Sequence, residues 1–319
     1  MPGVETAPQT VPLIAGLKLV HEAQAAIGGV LPPTPLREAA HLSRRYGLEV
    51  RLKLENVQPT GSFKVRPALF GVLRNLEQAR AHGVIAASSG NFGKAVAWAA
   101  GMHEVDAEIV VQAHASRKKV EDAEALGARV VRCGADYNDR LATTLARQQA
   151  SGRVLLHSSD SIDTVAANAV IGLEMVSETE DRCAVVAPVS GGGLLGGIAW
   201  SVKLLRPEWE VAGVQAAANP SMAVSLKRGV PVTVSPGPTL ADALLVSRPS
   251  AIPFSYVRQY ADGMELVDEG DIASAVALLS EEEGVAAEPS GAAGIALLEA
   301  GWRPRHGRSV IVVISGGNA

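Results

Sequence analysis

The stretch QPTGSFKVRP, residues 58–67, sets one lysine, Lys64, behind a Pro-Thr-Gly-Ser turn and ahead of a second proline. Turn-forming residues on both sides restrain the backbone around a side chain that ordinarily moves in solvent. That restraint singles out Lys64 as an embedded lysine in need of an explanation. Taken in isolation, the same stretch also reads as a surface lysine beside a turn.

Three glycine-rich turns supply complementary groups: ASSGNFGKA (87–95), PVSGGGLLGG (188–197) and the terminal ISGGNA (314–319). Each follows an apolar run that predicts a strand, and in a parallel sheet strand ends and helix starts gather along one edge, where ligands bind. Ser190, Gly191, Gly192 and Gly193 are the most informative of these residues. Consecutive glycines let backbone N–H groups converge on an anion, and the helix that follows adds its positive end, which is the chemistry of a phosphate cradle. A tight strand-to-helix turn is the plainer reading. No Gly-Lys-Ser/Thr follows, and no GxGxxG fingerprint opens the chain, so neither a Walker loop nor a dinucleotide site is indicated. Around Asn91, backbone donors and a side-chain amide at a helix start suit a carboxylate or a phenolate-like oxygen. Ser315 brings a hydroxyl to the same edge after the run SVIVVI.

The elements that must position these residues are legible as alternation. GLEVRLKLE, GVIAAS, AEIVVQA, ARVVRCG, GRVLLHS, CAVVAPVSGGG, EVAGVQA and SVIVVISGG read as strands, whereas NFGKAVAWAAGMH, SRKKVEDAEALG, YNDRLATTLARQQA and LLGGIAWSVKLLRP read as helices. That order is the pattern of parallel sheets covered by helices, an α/β fold. Ser116 and Asp271 are the expected N-caps of two helices, with Gly127 and Gly284 closing them. No repeat or linker breaks the chain, so a second domain must be interleaved with the first.

Composition narrows the function. The 319 residues are 47 % hydrophobic and 19 % charged, with a formal net charge of −4 and no Lys/Arg cluster interleaved with aromatics. A small-molecule partner is expected and a nucleic-acid partner is not. The start of the chain, MPGVETAPQTVPLI, lacks a basic segment followed by an apolar core, and no apolar run approaches the roughly 18 residues of a membrane span. The expectation is a cytoplasmic protein without membrane association. Cys133 and Cys183 stand far apart, and the seven histidines show no metal-ligand spacing.

Taken in order, GSFKVRPA, SSGNFGKAVAWAA, VSGGGLLGG, EPSGAAGIALL and ISGGN resemble the fold-type II pyridoxal-phosphate enzymes (tryptophan synthase β-like) over nearly the whole chain. Within that class the motifs most resemble the serine/threonine dehydratase and serine racemase branch. The resemblance implies two interleaved open parallel-sheet domains covered by helices, the larger from residues 1–78 and 161–319, the smaller, substrate-binding one from 79–160. Pyridoxal 5′-phosphate would lie between them, held by Lys64 as a Schiff base. Phe63 would lie against the ring, Asn91 near its phenolic oxygen, Ser190, Gly191, Gly192, Gly193 and Leu194 around the phosphate, and Ser315 at the ring nitrogen. A serine there does not keep that nitrogen protonated as an aspartate would, which favours elimination over transamination.

The same resemblance makes Ser88, Ser89, Gly90 and Asn91 a nest for the substrate carboxylate. Ser89 stands where the racemase branch has a serine that exchanges a proton on the face opposite the lysine. Arg140 falls where that branch carries a substrate-binding arginine; a solvated helical arginine is the plainer reading. The implied activity is a dehydratase, or ammonia-lyase, of a β-hydroxy amino acid, in which Lys64 takes the α proton; amino-acid racemisation is the alternative. Relatives of this kind are usually homodimers or homotetramers.

Departures from the pattern bear on substrate. Phe92 replaces a histidine after Asn91, AANAVIGLE (166–174) replaces an Ala-Gly-Gln-Gly-Thr segment, and Ala243 replaces a glycine in TLADALLV. Phe92 also argues against β-replacement of the cysteine-synthase kind, whose members carry threonine there. Gln215 stands in place of a metal-binding glutamate, so the branch's divalent-cation site is expected to be absent. The chain ends soon after SGGN, and the regulatory domain of biosynthetic threonine deaminases is expected to be missing.

Overall fold

Among the residues that the structure, a computed structural model, describes (13–88, 90–134 and 137–318), ten strands form two sheets. The larger has six: β1 (Leu36–Glu38), β2 (Glu49–Leu54), β7 (Cys183–Pro188), β8 (Glu210–Ala216), β9 (Gly263–Val267) and β10 (Ser309–Ile314), in the order β1-β2-β10-β7-β8-β9. Only the β1–β2 pairing is antiparallel. The smaller sheet is parallel throughout, in the order β5-β4-β3-β6, from β3 (Val84–Ala87), β4 (Ala107–Gln112), β5 (Arg129–Cys133) and β6 (Val154–Leu155).

Position in the sheet explains the residue types. β7 and β10, written CAVVAP and SVIVVI, are buried at every position, as strands covered on both faces must be. β5, at an edge, carries Arg129 and Arg132 on either side of two valines and stays partly exposed. β1 and β9 lie outside the eight strands expected from sequence. β1 is three residues long, and β9, GMELV, is a half-exposed edge strand without a continuous apolar run.

The helices expected from sequence form at Asn91–Met102, Arg117–Ala125, Tyr137–Ser151 and Gly193–Leu205. Gly127 follows the second of them at φ +86°, as a terminating glycine should. Ser116 takes the N-cap position but makes no side-chain cap bond. Asp271 is not a cap: the helix begins at Glu269 with Asp268 as its extended N-cap residue, and Asp271 stands in the first turn, where its charge still meets the helix dipole. Ser161 does cap the helix Ile162–Glu178, accepting from the Asp163 N–H at 3.2 Å.

The helix Val65–Arg74, which starts directly after Lys64, packs against the helices Asn91–Met102 and Ile162–Glu178. Its Val65, Leu69 and Phe70 share one buried cluster with Phe92, Ala95 and Val96 of the helix that opens on Asn91. Arg66, fully buried, fixes this helix by ion pairs to Glu55 at 2.8 Å and Glu174 at 2.7 Å. Burial pushes the Glu55 carboxyl up, but the Arg66 guanidinium beside it prevails and holds it below the usual carboxylate range. The helices 162–178 and 193–205 meet at backbone distance, since a Cβ on Gly197 would stand 2.4 Å from the Val165 carbonyl oxygen.

Candidate active site

Lys64 occupies the N-cap position of the helix Val65–Arg74. Its turn is tied to the last turn of the described chain: Phe63 N–H donates to the Ser315 carbonyl at 3.1 Å and Gly317 N–H to the Gly61 carbonyl at 2.9 Å. Gly61 sits at φ +74°, and a Cβ there would fall 2.2 Å from Asn318 Oδ1, so the turn needs glycine for both conformation and space. The half-buried Lys64 Nζ donates to the Ser158 carbonyl at 3.1 Å and lies 4.8 Å and 6.0 Å from the ring centres of Phe63 and Phe92. Burial pushes this ammonium down to about 8, which leaves an appreciable neutral, nucleophilic fraction near neutral pH.

The Ser190–Gly193 turn joins β7 to the helix Gly193–Leu205. Gly192 takes φ +102°; a Cβ there would come within 2.7 Å of Met222 Cε, and one on Gly191 within 2.8 Å of Ser159 Oγ. The first helical bond runs from Gly196 N–H to the Gly192 carbonyl at 2.8 Å, so the N–H groups of Gly193, Leu194 and Leu195 have no acceptor within the helix. Ser159 and Ser250 share a hydroxyl hydrogen bond of 2.6 Å beside Gly191, and Ser250 N–H donates to the Gly191 carbonyl. Behind the turn, both amide atoms of the buried Asn168 lack a hydrogen-bond partner, with Nδ2 3.6 Å from where a Cβ on Gly193 would stand. Converging N–H donors, nearby hydroxyls and an unsatisfied amide fit a compact anion such as a phosphate.

Asn91 opens the helix Asn91–Met102 at the carboxyl edge of the smaller sheet. Its Nδ2 donates to Glu288 Oε1 at 2.9 Å and its Oδ1 accepts from Asn318 Nδ2 at 3.1 Å, bonds that tie the helix following β3 to the N-cap of the helix Pro289–Glu299 and to the turn after β10. Burial pushes the Glu288 carboxyl up to about 7. Gly90 N–H donates to Ser88 Oγ at 3.3 Å. Ser89 lies outside the described residues. Arg140 Nη1 donates to Gln112 Oε1 at the end of β4, on the smaller sheet. Ser315 is buried after β10, one residue ahead of the Ser62–Gly316 bridge that joins the two turns.

Glu288, Asn318, Ser158, Ser159 and Ser250 belong to this constellation and carry no role in the sequence reading. Glu288 and Asn318 stand in the quoted motifs EPSG and SGGN; Ser158 and Ser159 stand in HSSDSID (157–163), which replaces a family segment of different sequence, and Ser250 lies outside any quoted motif. Gln215 spends its side chain inside the larger sheet, where Oε1 accepts from Met222 and Ala223 N–H at 3.0 and 3.1 Å and holds the start of the helix Ser221–Arg228. Among the described residues, no group of three or more His, Cys, Asp or Glu side chains is placed to hold a metal ion.

Residues 28–316 match the family described as pyridoxal-phosphate dependent enzymes. The chain belongs to that family. Within it, the chain is 38 % identical over 302 residues to an L-threonine ammonia-lyase of Thermotoga maritima, covering 95 % of this chain and 75 % of that protein. Among solved structures, maize serine racemase superposes with a TM-score of 0.91 at 28 % identity, covering 95 % and 93 % of the two chains. A threonine deaminase from T.th. gives 0.89 at 34 % identity, covering 95 % and 98 %. These likenesses set this pyridoxal-phosphate enzyme in the fold-type II class, in the branch that holds threonine dehydratases and serine racemases.

Proposed function

We propose that this enzyme is a pyridoxal-phosphate-dependent ammonia-lyase that converts a β-hydroxy amino acid such as L-threonine or L-serine into a 2-oxo acid and ammonia. The observation that carries the reading is the 38 % identity to an L-threonine ammonia-lyase across 95 % of the chain. The site agrees with it chemically, because a half-buried amine stands near two aromatic rings and a glycine turn leaves N–H groups without helical acceptors at a helix start.

When bound, pyridoxal phosphate supplies the electron sink for the pair left at the substrate's α carbon. Ser190 through Leu194 would hold its phosphate, Ser315 its ring nitrogen, Phe63 one face of its ring and Asn91 its phenolic oxygen. Lys64 would anchor it covalently and, once displaced by the substrate amine, take the α proton; the lowered ammonium of Lys64 makes that base available near neutrality. Ser88, Ser89, Gly90 and Asn91 would receive the substrate carboxylate, with Arg140 at the substrate's side. The β hydroxyl would leave with one proton as water, and hydrolysis of the released enamine would consume one water to give the 2-oxo acid and ammonia.

The proposed division is a larger unit of residues 1–78 and 161–319 and a smaller one of 79–160, the latter containing the four strands between Val84 and Leu155. A cytoplasmic homodimer or homotetramer is the proposed working form. Racemisation is a second reading, favoured by the maize serine racemase likeness and by a serine at position 89, where the racemase branch has its proton-exchanging serine.

Incubation of the loaded enzyme with single enantiomers of serine, threonine, phenylserine and hydroxyaspartate, with and without a chelator, separates these readings. Keto-acid release from the L-hydroxy amino acids, unaffected by chelation, is the expected result. Absence of keto acid would end the lyase reading, and absence of any D-enantiomer on chiral chromatography would end the racemase one. Borohydride should fix the cofactor to the Lys64 peptide, and Lys64→Ala should lose that label together with at least about a thousandfold in rate.

A further inference from the structure

The Asn91 amide is one link in a hydrogen-bonded row whose direction is set by the chemistry of its ends. Lys94 Nζ, which can only donate, donates to Asn318 Oδ1 at 3.3 Å. Asn318 must therefore present its NH2 group elsewhere, and its Nδ2 donates to the Thr60 carbonyl at 2.7 Å and to Asn91 Oδ1 at 3.1 Å. That in turn leaves Asn91 Nδ2 to donate to Glu288 Oε1 at 2.9 Å. Four side chains thus point one way, from a cation at one end to a carboxyl at the other.

The direction matters because an asparagine amide has two nearly isosteric ends of opposite character. An untethered Asn91 could present Oδ1 to an electron-rich oxygen and repel it. With Oδ1 taken by Asn318 and one Nδ2 hydrogen taken by Glu288, what remains is a single N–H donor.

We propose that Lys94, Asn318 and Glu288 are positioning residues that hold the Asn91 amide with its free N–H toward the phenolic oxygen of pyridoxal phosphate. The inference rests on the reading of Asn91 as the contact to that oxygen. Lys94 acts two links away, through Asn318, and touches neither cofactor nor substrate in this role. Its side chain is also 3.8 Å from Asp122, so it reaches the row from the helix Asn91–Met102 while leaning on the helix Arg117–Ala125.

The test is a variant cycle on the loaded enzyme, read by the visible absorption band of the bound cofactor and by the cofactor dissociation constant. Asn91→Ala should move the band and weaken cofactor binding about tenfold, the scale of one hydrogen bond to a charged acceptor. Lys94→Met keeps the aliphatic stem at a part-exposed position and removes the donor, together with the 3.8 Å ion pair to Asp122. It should move the band in the same direction, and the Lys94→Met/Asn91→Ala double variant should match Asn91→Ala alone. Lys94→Arg restores a donor and should restore the band. Thermal unfolding of each variant reports whether it is folded, and Glu288→Ala gives an independent break at the other end of the row.

Two outcomes overturn the inference while leaving the reading of Asn91 intact: Asn91→Ala moves the band but Lys94→Met and Glu288→Ala do not, or the single shifts simply add. A band unmoved by Asn91→Ala overturns that reading, and the inference with it.

Discussion

A buried carboxyl with an abnormally high affinity for its proton leaves a signature in the stability of the cofactor-free chain. Glu288 is 8 % exposed, and burial, opposed by the Asn91 hydrogen bond and assisted by the nearby Asp242 charge, pushes it from 4.5 up to about 7. In the unfolded chain the group loses its proton near 4.5, whereas in the folded chain it keeps it to about 7. Between those values the folded state binds more protons, so its advantage is full below pH 4.5 and is lost as pH rises to about 7. At about 1.4 kcal/mol per pH unit the ceiling is roughly 3 kcal/mol. Glu288→Gln removes the titration and retains an oxygen for Asn91. The difference in unfolding free energy between wild type and variant, followed by denaturant titration from about pH 4.5 to about 8, should fall with pH over that window and flatten above it. A difference independent of pH would show that Glu288 ionises normally.

Elements explain which parts of the site could be read from the chain alone. Lys64 and the 190–193 turn are contiguous signals, each written in a few neighbouring residues, and the turn joins a strand and a helix that the alternation predicts. The bonds from Asn91 to Glu288 and Asn318 join residues 197 and 227 positions apart, and the Ser159–Ser250 pair spans 91, so nothing local in the sequence announces them. β7 and β10 were legible because burial on both faces demands an unbroken apolar run. β9 was not, because an edge strand tolerates Met264, Glu265 and Leu266 at half-exposed positions. The same distinction between conformation and sequence applies to the glycine turn. Gly192→Ala should weaken cofactor binding by about ten- to a hundredfold, since an alanine at φ +102° with its Cβ against Met222 must shift the loop and re-aim its N–H groups. Gly301→Ala is the control, for Gly301 also has positive φ, +88°, but opens onto free space after the helix Pro289–Glu299. Equilibrium dialysis or fluorescence titration should show unchanged affinity for the control, and equal losses in both variants would mean that backbone strain alone, not cradle geometry, weakens binding.

At the scale of the molecule, the two sheets meet through two kinds of contact. An apolar layer runs from the helix Val65–Arg74 into the helix Asn91–Met102, and polar links cross where the site's turns converge. Those links are Lys64 to Ser158, Asn91 to Glu288 and to Asn318, Lys94 to Asn318, and the exposed Lys119–Asp242 pair at 2.9 Å. The last is worth no more than about 1 kcal/mol, and each hydrogen bond contributes on that order, so the carboxyl edges are joined far more weakly than the cores. A ligand that touches both edges stabilises every state in which they stay together, by an amount that grows with the logarithm of its concentration over its dissociation constant. Saturating pyridoxal phosphate should therefore slow amide hydrogen exchange on both sides at once. Amides 191–195 should slow as the proposed phosphate contacts, and amides 90–94 and 316–318 because the openings that expose them would break the same site. The edge strands β5 and β9 take no part in these links and should exchange alike with and without cofactor. Exchange followed by mass spectrometry on the cofactor-free and loaded protein distinguishes the outcomes: protection confined to 191–195 would mean that the cofactor is held by one sheet alone and that the polar links across the site open independently of it.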